Sequence, residues 1–89
     1  MEIIYSKKAI KDLEFWSESG NKIILKKIAE LIRAIQINPY QGIGKAEPLK
    51  HQLSGFWSRR IDAEHRIIYK IIDENIIDIL SIIPLKGHY

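Results

Sequence analysis

Seven side chains between positions 47 and 66 carry functional groups that can cleave a phosphodiester: Glu47, His51, Arg59, Arg60, Glu64, His65 and Arg66. RNA can be cut without a metal or a cofactor, because its own 2′-OH can attack the neighbouring phosphorus. That step needs a base for the hydroxyl proton and an acid for the departing 5′ oxygen. It also needs cations for the charge that builds on the phosphorane. Carboxylate, imidazole and guanidinium supply these functions. Spacing alone does not choose among the seven.

The charge pattern points to the same stretch. The chain has 14 Lys and Arg against 11 Asp and Glu, a net charge of +3. Positions 45–70 hold six of the basic residues and three of the acids, so the whole excess lies there. Phe56, Trp57, Tyr69, His51 and His65 are interleaved with them. Cations mixed with aromatics suit a polyanion bearing flat bases. A solvated strand face would look much the same.

With 89 residues, one domain spanning 1–89 is expected, with any active site in a shallow surface groove. Cysteine is absent, which excludes disulfides, thiolate metal sites and cysteine nucleophiles. His51, His65 and His88 lack metal-ligand spacing, so neither a metal ion nor a cofactor is expected. MEIIYSKK has no apolar run of the signal-peptide kind, and no stretch approaches a membrane span. A soluble, cytoplasmic protein with no membrane contact is the expectation.

The elements that must position these groups are legible in outline. Met1–Tyr5 reads as a strand. Ser6 is a candidate N-cap for a helix over 7–19, with Ala9, Leu13 and Trp16 on one face and Gly20 ending it. Asn21 can cap a second helix over 22–37, whose stripe is Ile24, Ile28, Leu31 and Ile35. Asn38-Pro39 stops it. An irregular linker, 39–48, places Glu47 in a loop. Strand-like runs follow at 49–53, 56–62, 65–72 and 76–83. The expected fold is α+β, an antiparallel sheet of four or five strands with the helix hairpin packed on one face. Arg59 and Arg60 are adjacent in a strand and point to opposite faces, so only one of them shares a groove with Arg66.

Three strings make the region recognisable: Gly42-Ile-Gly-Lys-Ala-Glu-Pro-Leu-Lys-His51, Leu53-Ser-Gly-Phe-Trp-Ser-Arg-Arg-Ile61 and Glu64-His-Arg-Ile-Ile-Tyr69. With the terminal His88-Tyr89, they resemble the YoeB/Txe family of bacterial toxins, within the RelE-like superfamily. The resemblance runs from Met1 to Tyr89. It implies a ribosome-dependent endoribonuclease that cuts mRNA in the A site, neutralised by a cognate antitoxin of the YefM/Axe kind. It implies Glu47 as general base, Arg66 as phosphate-stabilising cation and His88 as general acid. Lys50, Arg60, Glu64 and Tyr89 match supporting positions, and Arg59 is left to the fold or the antitoxin. A RelE-like sheet with two N-terminal helices is implied, as is a homodimer. The ending, Ser81-Ile-Ile-Pro-Leu-Lys-Gly-His-Tyr89, is longer than the family's usual one, and Pro84 is expected to end or bulge the last strand. A second reading is a non-catalytic toxin of the same fold that binds its target, as gyrase inhibitors do. The set Glu47, Arg66 and His88 separates the two, since a pure binder has no use for all three.

Overall fold

The computed structural model describes residues 2–73 and 76–84. In chain order it has β1 (Glu2–Tyr5), α1 (Lys7–Glu18), α2 (Lys22–Ile37), β2 (Glu47–Pro48), a 3-10 turn (His51–Leu53), β3 (Phe56–Arg60), β4 (His65–Asp73) and β5 (Ile76–Pro84). Both helices start where the caps predict. Ser6 Oγ accepts the Ala9 N–H at 3.0 Å, and Asn21 Oδ1 accepts that of Ile24 at 3.1 Å.

The strands form one sheet in the order β1-β5-β4-β3-β2. The expected architecture is present, with one refinement: β1 joins β5 in parallel, and the other pairings are antiparallel. The backbone N–H of Ser6 donates to Ile79 O at 2.9 Å, so one residue extends the ladder and caps α1. Beyond the end of β1, a helix side chain takes over. Asp12 Oδ2 accepts the N–H of Ile82 at 2.9 Å.

Two segments differ from the expectation. Leu49–Leu53 is not a strand: only Glu47–Pro48 pairs with β3, and a 3-10 turn follows. Pro48 has no N–H to give a ladder, and His51 has a φ of 60°, which breaks any extended run. Glu47 therefore lies in a short strand rather than in a loop. The register between β4 and β5 also slips between Ile68 and Tyr69, leaving Leu80 as an extra residue on β5. Alternation along β5 changes phase there. Ile77 and Ile79 face the helices before the slip, and Ile82 does so after it.

The core lies between the helices and one sheet face. Ala9 from α1 and Ile24, Ile28, Leu31 and Ile35 from α2 pack on Ile67, Tyr69, Ile77, Ile79 and Ile82. Leu13 and Trp16 sit at its border. Each of these isoleucines, once buried, contributes about 1.5–3 kcal/mol of transfer free energy. This packing fixes the central strands and leaves the opposite sheet face outside the helix layer.

Candidate active site

The pairing register determines which side chains share that second face. Arg60 stands directly opposite Arg66, Ser58 opposite Ile68, and Phe56 opposite Lys70. On the next strand Glu47 stands opposite Ser58. Side chains of paired residues lie on the same face. Glu47, Arg60 and Arg66 therefore share one surface, the one away from the core cluster. Glu47 and Arg60 are diagonal neighbours across β2 and β3, a separation of about 7–8 Å between their Cα atoms. A guanidinium on one side of that gap attracts a phosphate, and a carboxylate on the other can accept a proton from a neighbouring hydroxyl.

Exposure suits such a surface. Arg60, Lys50 and Glu64 are exposed, whereas Glu47 and Arg66 are half-buried. Lys50 precedes the 3-10 turn, and Glu64 lies in the turn joining β3 to β4. Ser58, between Glu47 and Ile68, is only 4% exposed. The sequence reading passed over Ser58, although strand alternation with Arg60 was the signal that places it on this face. His88 and Tyr89, the candidate acid and its neighbour, lie outside the described residues.

Two turns fix the set. Between β3 and β4, Asp62 Oδ1 accepts the N–H groups of Glu64 and His65, both at 2.8 Å. His65 Nδ1 lies 3.1 Å from the same oxygen. Partial burial works to raise the Asp62 pKa, but these hydrogen bonds and the His65 charge outweigh it and hold the carboxyl below its ordinary value. The His65 ring meets the Trp16 ring edge-on at 4.9 Å, so it faces α1 rather than Glu47. His51 is exposed at the start of the 3-10 turn.

The second turn is the segment 38–46, which delivers β2. Arg59 is fully buried beneath it. Its Nη2 donates to Gln41 O at 2.9 Å and to Asn38 O, and its Nη1 to Ile43 O at 3.3 Å. Its Nε donates to Tyr69 Oη at 3.2 Å, and the Tyr69 hydroxyl donates to Pro39 O at 2.6 Å. Burial raises the phenol pKa and the Arg59 contact opposes that, so Tyr69 remains a protonated donor. Of the two readings left open for Arg59, the structure favours the fold.

The family model for YoeB-like toxins of bacterial type II toxin–antitoxin systems matches residues 5–89. The chain belongs to this family. Toxin YoeB of Escherichia coli (strain K12) is 47% identical over 89 residues, covering 100% of both chains. Among solved structures, the YoeB dimer from Staphylococcus aureus matches with a TM-score of 0.82 at 41% identity, covering 100% of this chain and 98% of that one. The YoeB–YefM complex from the same organism matches with a TM-score of 0.81 at 42% identity, with the same coverage. The family resemblance carried by Gly42–Tyr69 thus holds across the YoeB-like chain, which is by family a toxin of a type II toxin–antitoxin system. Among its described residues no helix is long and apolar enough to cross a membrane.

Proposed function

We propose that this toxin is a ribosome-dependent endoribonuclease that cuts mRNA in the A site and so arrests translation. One observation carries the reading: Glu47, Arg60 and Arg66 share the sheet face that the helices leave open. Glu47 takes the proton of the 2′-OH, whose oxygen bonds to phosphorus. The P–O5′ bond breaks, and His88 gives its proton to the departing oxygen. The products are a 2′,3′-cyclic phosphate and a 5′-hydroxyl. Arg66 offsets the charge on the phosphorane. Lys50, Arg60, Glu64 and Tyr89 support the RNA around this set, and His88 and Tyr89 take their roles from the family pattern.

The same reading gives the partners. A cognate antitoxin of the YefM kind binds the toxin, as the S. aureus complex suggests, and the chain pairs with itself, as the S. aureus dimer suggests. In this reading the antitoxin holds the toxin inactive in the cytoplasm. Primer extension on a defined message in a reconstituted translation system tests the activity. The expected result is a cut at the A site with ribosomes present. It should fall on the order of a hundredfold or more in Glu47→Gln and in His88→Ala. A wild-type protein that arrests growth yet yields no cut would overturn the enzymatic reading in favour of a binding toxin.

A further inference from the structure

Glu47 sits on a weak strand. β2 has two residues, and one of them is Pro48, which cannot donate to the ladder. The hydrogen bonds that flank it are Leu49 N to Phe56 O at 2.8 Å and Arg60 N to Gly44 O at 2.6 Å. Between Gly44 and Glu47 the chain passes through Lys45 with a φ of 57°. A two-residue strand next to a left-handed residue does not by itself fix where a carboxylate points.

The turn before β2 is held far more firmly. Arg59 gathers the carbonyls of Asn38, Gln41 and Ile43 around one guanidinium, and Tyr69 adds that of Pro39. A Cβ on Gly42 would come within 2.9 Å of Arg59 Nη1, so the backbone closes directly onto the cation. Above the turn, the Tyr40 ring meets the Trp57 ring edge-on at 5.3 Å. Arg59 and Arg60 are consecutive in β3. Arg59 therefore holds the turn from the core face, while Arg60 shares the open face with Glu47.

We infer that Arg59 is a positioning residue for Glu47, acting through the 38–46 turn without touching RNA. The inference rests on the assignment of Glu47 as the general base. Its guanidinium spreads over several carbonyls at once, which a lysine ammonium cannot do from a single point. Arg59→Lys keeps the charge and loses the spread. Tyr69→Phe removes one hydroxyl and keeps the ring in the core. A displacement of about an ångström at a reacting group costs on the order of a hundredfold in rate.

The test is a double-mutant cycle on single-turnover cleavage in the ribosomal A site, with ribosome affinity measured in parallel. Arg59→Lys should lower the cleavage rate at least about tenfold with ribosome affinity unchanged. Tyr69→Phe, the milder change, should lower it less. In a Glu47→Gln background neither substitution should lower the residual rate further, because the group they position is already gone. If the losses multiply instead, Arg59 supports the fold alone and the inference falls. Glu47→Gln cleaving like wild type would remove the base assignment itself, and the inference with it. Should Arg59→Lys not fold, Tyr69→Phe with Glu47→Gln completes the same cycle and decides by the same criterion.

Discussion

Asp62 shows how one side chain can hold a turn that carries others. Its carboxylate takes two backbone N–H groups and the His65 ring, and the turn it organises leads from Arg60 to Glu64 and Arg66. Its pKa in the folded protein lies below the ordinary value. Unfolded aspartate ionises near about 3.9. The stabilisation is therefore complete above about pH 4 and is lost as the pH falls through the folded value. The melting temperature should drop on acidification below about pH 4. Asp62→Asn should flatten that acid limb, since the amide does not titrate, and a melting series across pH with both proteins checks it. Lys8 and Asp12 make a contrasting pair, an exposed contact of 2.9 Å one helical turn apart. Pairs of this sort contribute roughly 0.3–0.5 kcal/mol at most.

Helix α2 and strand β2 mark the limits of what the chain discloses at the level of elements. The helix was legible because Asn21, the apolar stripe and Asn38-Pro39 each speak locally for the same boundaries. Strand β2 was not. Leu49 and Leu53 sit at strand-like spacing, but His51 adopts a positive φ between them, and the true pairing uses the two residues before Leu49. The parallel entry of β1 was also hidden, because its partner lies more than seventy residues away and nothing local sets its direction. The bulge at Leu80 likewise reflects what β4 and the helices demand of β5. Within the site, alternation left only one of Arg59 and Arg60 to share a groove with Arg66, and the family strings pointed to Arg60, which the register bears out, and to Glu47. The burial of Arg59 could not be read, because its acceptors are backbone carbonyls, which every residue has. Gly44 is the part of this turn most open to a stability test. A Cβ there would sit 2.6 Å from Leu31 Cδ2 and 3.0 Å from Arg60 O, at a φ of 83°. Gly44→Ala should cost about 1–3 kcal/mol, read as a lower midpoint in urea with an unchanged slope.

At the scale of the whole molecule, helices cover one face of the sheet and the other face carries a row of cations. Arg60, Arg66 and Lys70 line up on that open face, with Lys50 at its border. If this is the surface that meets ribosomal RNA, each phosphate contact releases counterions. Affinity for ribosomes should then fall linearly on a log–log plot against salt, and Arg60→Ala should reduce the slope by about one. A salt titration of binding, wild type against variant, gives both numbers. The sheet also has margins. β1 covers β5 as far as Ile79, and past that point the Asp12 carboxylate occupies the N–H of Ile82. An open strand margin is a template for any extended chain, so Asp12 acts as a stopper that denies one rung to a visiting strand. Asp12→Ala would uncover that rung, and light scattering of the concentrated variant should detect association into species larger than those the wild type forms. A single helix carboxylate thus helps to decide whether the sheet stays closed to strands that have no business there.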